Sequence, residues 1–118
     1  PAAWIWVHAQ SAKESDLMQA AERGAWISLD GLRENSVPRH LELALKLRAA
    51  GYWSQLLVSH DAGWFDPGKP NGGEYRGYEV LFTGFLPELR DAGVTAAEIE
   101  QLLVGNPRAA YGVSVRSF

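Results

Sequence analysis

The chain has 118 residues, no cysteine, and 11 Lys+Arg against 14 Asp+Glu, for a net charge of -3. That length suits one domain, and a hydrophobic fraction of 47% supplies a core. The acidic balance excludes a sequence-independent nucleic-acid binder, no apolar stretch approaches a membrane span, and the lack of Cys removes disulfide frameworks and thiol nucleophiles.

Pro1 is followed at once by the apolar run Trp4-Ile5-Trp6-Val7, so the chain reads as if it began inside a longer fold. The run is short, rich in β-formers and ends at His8, which predicts a strand buried on both faces. Ser11-Ala12-Lys13-Glu14 has the spacing of a capping box opening a helix with Leu17, Met18 and Ala21 on one side, closed by Gly24. Ala25 to Leu29 is the next strand, stopping at Asp30. Ser36 and Pro38 start a second helix carrying Leu41, Leu45 and Leu47, closed by Gly51. Leu56-Leu57-Val58-Ser59 is a third strand, ending at His60-Asp61.

From Ala62 to Gly77 glycine and proline dominate around Trp64 and Phe65, a loop length that is uncommon in a compact domain unless it is functional or disordered. Tyr78, Leu81, Phe82, Phe85, Leu86 and Leu89 then recur at helical spacing, with a kink expected at Pro87. Thr95-Ala96-Ala97-Glu98 is another capping box, and Asn106-Pro107 begins a last short helical turn.

Three strand–helix units in a row predict parallel strands joined by right-handed crossovers. All three strands carry their polar residues at the C-terminal end, namely His8, Asp30 and His60-Asp61, the edge where α/β proteins collect ligands and catalysts. Asp61, before a glycine-rich loop, can ligate a metal or take a proton, or can equally cap its own loop. His8 suits a metal ligand, against the alternative of a half-buried histidine bonded to a carbonyl. Asp30 either orients a catalytic partner or bonds its own loop. Alternation turns His60 away from Asp61, so His60 reads as structural, and His40 reads as a solvated helix residue. Trp64 and Phe65 suit a lid over an apolar substrate or a brace for the loop. Arg33 and Glu34 are candidates for substrate contact, the alternative being solvated loop charges. Trp4, Trp6 and Trp26 read as core. Ser28 and Ser59 lack a nucleophile-elbow context.

The strand ending at His8, the strand ending in Leu29-Asp30 and the run Leu57-Val58-Ser59-His60-Asp61 together resemble the C-terminal part of phosphotriesterase-like metal-dependent hydrolases of the amidohydrolase superfamily, which include organophosphate hydrolases and lactonases. Phe85-Leu86-Pro87-Glu88-Leu89-Arg90-Asp91-Ala92-Gly93-Val94 is similar to that family's final barrel helix. Gly105-Asn106-Pro107-Arg108-Ala109 is similar to its terminal helix signature. The resemblance covers essentially the whole chain.

The resemblance implies an α/β fold that is part of a (β/α)8 TIM barrel: strands six to eight with outer helices and a C-terminal helix, residues 1–118 forming an incomplete closing segment. It implies a two-metal centre of divalent ions, zinc first and manganese, cobalt or iron as alternatives. His8 would ligate one ion. Asp61 would ligate the other and handle the proton of the activated hydroxide, with Asp30 on a relay path. The implied reaction is hydrolysis of an ester, lactone or phosphoester, in a cytoplasmic protein. Gly31 stands where phosphotriesterases have a histidine and many lactonases an arginine, and Ser11 where an aspartate is usual. The family's first-strand His-x-His pair, bridging carboxylated lysine and fifth-strand histidine have no counterpart here, and closing a barrel takes roughly 250 residues. The expectation is therefore a segment inactive alone, completed by a missing N-terminal barrel portion or by self-association through strand edges at Trp4–Val7 and Leu56–Ser59. The alternative is a non-catalytic α/β fragment or interaction module that keeps the scaffold.

Overall fold

The computed structural model describes residues 4–113. Residues 1–3 and 114–118 lie outside them. Three parallel strands form one sheet in the order β1 (Ile5–Trp6), β2 (Trp26–Leu29), β3 (Leu56–Val58). Ile5 pairs with Trp26 and Ile27 with Leu56, so the chain steps across the sheet one strand at a time. Helices α1 (Glu14–Glu22) and α2 (Val37–Ala49) make the two crossovers. After β3 come α3 (Leu86–Asp91), α4 (Ala96–Glu100) and α5 (Asn106–Tyr111). These are the parallel strands with intervening helices expected from the alternation.

The central strand decides the packing. Ile27 and Leu29 are fully buried among Leu17, Leu43, Leu47, Leu56, Phe85 and Leu89 from the helices and the neighbouring strand. Ser28 and Asp30, at the alternate positions, are buried too. A strand covered on both faces is what a parallel barrel sheet requires.

The edge strand β1 departs from expectation. Trp4 is 58% exposed and Val7 is exposed, while Trp6 and Trp26 are half-buried. Trp4 and Trp6 stack on each other, ring centroids 6.4 Å apart. Trp6 packs against the core as expected, whereas Trp4 lies at the open edge of the sheet, where no strand pairs outside β1 among the described residues.

The predicted capping box at Ser11 does not form. Ser11 ends a 3-10 turn (Ala9–Ser11), and α1 starts at Glu14 from an extended Lys13 with no side-chain cap. The tight turn follows directly from His8, whose left-handed backbone (φ 55°) bends the chain before a helix can begin. The second box does form, with Thr95 and Glu98 bonding each other's backbone N–H at the start of α4. Gly24 and Gly51 close α1 and α2 as expected.

The distortion expected at Pro87 takes a specific form. A π-helical turn (Leu81–Phe85) leads into α3, and a second (Gln101–Gly105) leads from α4 into α5. Each wide turn comes just before a proline, Pro87 or Pro107. Proline lacks an N–H and its ring crowds the carbonyl four residues back, so a wider turn relieves both. Asn106, at the second junction, is buried and donates through Nδ2 to the carbonyls of Trp53 and Leu56, which ties α5 to the start of β3.

Candidate active site

The polar strand ends meet. His8 follows β1, Asp30 follows β2, and Asp61 follows β3 with its neighbour His60. His8 Nδ1 is 3.9 Å from Asp30 Oδ2 and 3.9 Å from Asp61 Oδ2. The sheet order places β2 between the other two strands, so Asp30 sits between the two proposed ligands.

Asp30 is committed to holding the site together. Its Oδ2 accepts the His8 backbone N–H at 2.6 Å, and its Oδ1 accepts the hydroxyls of Ser28 at 2.7 Å and Ser59 at 2.8 Å. Its own N–H donates to Gln10 Oε1. Burial pushes the Asp30 carboxyl up, but the His8 N–H, the two serine hydroxyls and the His8 ring together outweigh it and hold the group below the usual carboxylate range. The Asp30 carboxylate thus bonds residues at the ends of all three strands and, among the described residues, none in its own loop. Ser28, Ser59 and Gln10 are the residues that sequence reasoning missed as parts of this hub. The serines carry an alternation signal, since Ser28 and Asp30 fall on one strand face.

His8 and Asp61 are the uncommitted groups. Both hold left-handed backbones, φ 55° and 45°. Such conformations in non-glycine residues persist where surrounding contacts over-determine them, and they concentrate at functional sites. The His8 side chain is 60% exposed and that of Asp61 36%. Among the described residues neither Asp61 carboxylate oxygen accepts a hydrogen bond, whereas its carbonyl accepts two, from Trp64 Nε1 and Arg76 Nη2. An imidazole nitrogen and a free carboxylate facing one another suit a divalent cation by donor chemistry. Among the described residues, no group of three or more His, Cys, Asp or Glu side chains converges to hold an ion unaided.

His60 turns away from Asp61, as alternation predicts. Its Nε2 accepts the Leu81 N–H at 3.0 Å, and its ring meets Tyr78 edge-on at 5.8 Å. Burial and the nearby Arg76 charge push its pKa down, against a smaller opposing effect of Glu79, which suits a ring that accepts through Nε2. His40 overturns its expectation. It is almost fully buried, with Nε2 2.9 Å from the Asp30 carbonyl and Nδ1 3.0 Å from the Ser36 carbonyl, donating through whichever nitrogen carries the proton. Its position on the inner side of α2 and its contact with Phe85 bring it under the site's floor.

The long loop is braced at its neck. The Gly63 N–H donates to the Arg76 carbonyl and the Tyr78 hydroxyl to the Ala62 carbonyl. Trp64 and Phe65 remain 72% and 73% exposed. The Phe65 ring lies so close on Gly72 that a Cβ there would sit 2.2 Å from it, which explains a glycine at that position. Arg33 lines, with Glu34, Tyr75 and Glu79, a cleft of about 600 Å³ between the β2–α2 loop and the long loop.

A profile of the phosphotriesterase family matches residues 5–111. The chain belongs to the phosphotriesterase family. A phosphotriesterase homology protein from Escherichia coli K12 is 30% identical over 95 residues, which is 78% of this chain and 32% of that protein. Among solved structures, a resiniferatoxin-binding protein from Rhodobacter sphaeroides superposes with a TM-score of 0.74 at 22% identity, over 97% of this chain and 35% of the other. The phosphotriesterase from Mycobacterium tuberculosis gives a TM-score of 0.73 at 21% identity, over 92% of this chain and 36% of the other. The chain thus spans about a third of the length of each of these three proteins, and its three-stranded sheet is a sector of a barrel of their kind. No helix among the described residues is long and apolar enough to cross a membrane.

Proposed function

We propose that this segment contributes two metal ligands and a loop to a divalent-metal hydrolase acting on ester, lactone or phosphoester bonds. One observation carries the reading: His8 Nδ1 and Asp61 Oδ2 face each other at 3.9 Å from left-handed strand ends, and among the described residues no hydrogen-bond donor reaches the Asp61 carboxylate. His8 would hold one ion through an imidazole nitrogen and Asp61 the other through its carboxylate, zinc being the first expectation. When bound, such an ion pair polarises a substrate oxygen and acidifies a water.

The chain's own residues do the rest. Asp61, exposed enough to exchange protons with the site, takes the proton released as water attacks. Asp30 fixes the His8 backbone by the 2.6 Å bond and so sets where the imidazole stands. A further proton step from Asp61 to Asp30 needs a lone pair on Asp30 that its three donors leave free; a carboxylate has about four such sites. Trp64 and Phe65 present apolar faces to an acyl or leaving group, and Arg33 lines the cleft between the β2–α2 loop and the far end of the long loop. The remaining ligands come from barrel strands outside these residues, so the segment on its own is inactive.

The test is Asp61→Asn in the full-length protein, with zinc content and hydrolysis of an aryl ester, a γ-lactone and an aryl phosphotriester as readouts. The reading requires at least a hundredfold loss of kcat and loss of bound metal with the fold intact. A folded Asp61→Asn protein that keeps its metal and its wild-type rate overturns it.

A further inference from the structure

We infer that Arg76 is the positioning residue for Asp61, acting on its backbone and not on its carboxylate. The inference rests on the reading of Asp61 as a metal ligand. Arg76 belongs to the far end of the long loop, yet its guanidinium reaches back to the strand ends. Nη2 donates to the Asp61 carbonyl at 2.7 Å and to the His60 carbonyl at 2.9 Å, and Nη1 donates to the Leu32 carbonyl at 2.8 Å. Its own carbonyl accepts the Gly63 N–H at 3.2 Å. The residue therefore grips the chain on both sides of Asp61 and joins that grip to the loop after β2.

An arginine usually spends its planar fork on a carboxylate or phosphate. Among the described residues no carboxylate lies within ion-pair distance of this one, and its three strong bonds all go to main-chain oxygens. Carbonyls of consecutive residues in an extended strand point in opposite directions. Those of His60 and Asp61 converge on one nitrogen because Asp61 is left-handed, with φ 45°. The guanidinium rewards that conformation specifically: relaxing Asp61 to an ordinary strand geometry would turn one carbonyl away and leave it without its donor. The same relaxation would swing the Asp61 carboxylate off its 3.9 Å approach to His8. The Leu32 bond adds the second coordinate, fixing the end of β3 against the loop that carries Arg33. Lysine has a single nitrogen and cannot span all three carbonyls at once, so the site needs the fork and not merely the charge.

The experiment uses the full-length protein and three variants: Arg76→Gln, Arg76→Lys and, as reference, Asp61→Asn. The readouts are the dissociation constant for zinc alone, amide hydrogen exchange of the metal-free protein, and Tm. Arg76→Gln should weaken zinc binding at least tenfold, with faster exchange confined to residues 57–66. Arg76→Lys should recover part of the affinity, because one ammonium can reach the His60 and Asp61 carbonyls. A folded Arg76→Gln protein with wild-type zinc affinity and wild-type exchange overturns the inference. So does an exchange increase spread evenly over the domain, which marks a general stabilising role. If Arg76→Gln does not fold, Arg76→Lys decides: wild-type affinity and exchange overturn the inference, and weakened zinc binding with local loosening supports it. Asp61→Asn separates the two levels. Retained zinc affinity there removes the ligand reading and this inference with it, whereas lost affinity there alongside a wild-type Arg76→Gln removes the Arg76 role alone.

Discussion

The backbone N–H of His8 donates to Asp30 Oδ2 at 2.6 Å, so the carboxylate at one strand end sets the geometry of the strand end beside it. Ser28 and Ser59 complete the arrangement on Oδ1, and three consecutive strands are thereby joined through one side chain. Replacing Asp30 with Asn puts an amide where one of these acceptors stands, facing a donor. We expect Asp30→Asn to cost on the order of 2–3 kcal/mol in urea unfolding of the full-length protein, the range for buried hydrogen bonds to a charged group. A variant as stable as wild type would show that the hub is dispensable.

His40 offers a second stability test, because its ring lies between the carbonyls of Asp30 and Ser36. His40→Leu keeps most of the volume but cannot donate to either. A buried group that loses its partner costs about 1–3 kcal/mol, so a loss of roughly 2 kcal/mol is expected by denaturant titration. Polar-to-apolar replacement at a solvated helix position would leave stability within about 0.5 kcal/mol, and that result would contradict the burial seen here.

The ion pair between Arg48 and Glu98 predicts a specific acid response. Arg48 Nε donates to Glu98 Oε1 at 2.7 Å, and the Thr95 N–H donates to Oε2 at 2.8 Å. The Arg48 guanidinium first, then the Thr95 N–H, hold the Glu98 pKa at about 2, below the usual value near 4.5. A carboxylate held low when folded stabilises fully above its unfolded pKa and loses that contribution as pH falls through the folded one. Between pH 5 and 2 the wild type should therefore lose more stability than Glu98→Gln, with the two curves converging near pH 2. Parallel thermal-unfolding curves over that range would count against the pair.

The loop aromatics should separate binding from stability. Trp64 is largely solvent-exposed, and its indole N–H donates to the Asp61 carbonyl. Trp64→Ala should leave Tm within about a degree or two, consistent with surface substitutions costing at most ~0.5 kcal/mol. In steady-state kinetics of the full-length protein it should raise KM and alter substrate preference more than it lowers kcat. An unchanged KM across apolar and polar esters would remove the lid role.

The open sheet edge predicts association. With Trp4 and Val7 exposed beside a strand edge that has no partner among the described residues, the 118-residue chain expressed alone should self-associate in light scattering, and charged substitution of Trp4 should reduce it. A clean monomer would show that the edge is covered some other way.

The order of strands and helices, the polar strand ends at His8, Asp30 and Asp61, the cap at Thr95 and the break at Pro87 were all legible in the linear chain. They depend on periodicity, on residue types at adjacent positions and on proline's missing N–H, all of which are local properties. His40 was misjudged because the inner and outer sides of α2 can be told apart only once Phe85 and the Asp30 carbonyl arrive from elsewhere in the chain. The Ser11 cap failed because the left-handed turn at His8 is imposed by Asp30, twenty-two residues on. Arg76 was invisible for the same reason: in sequence it is one charge in a Gly/Pro-rich loop, and only folding brings the carbonyls of Leu32, His60 and Asp61 within reach of its fork. Side chains that bond distant backbone leave no periodic signature, so their roles are decided by tertiary structure alone.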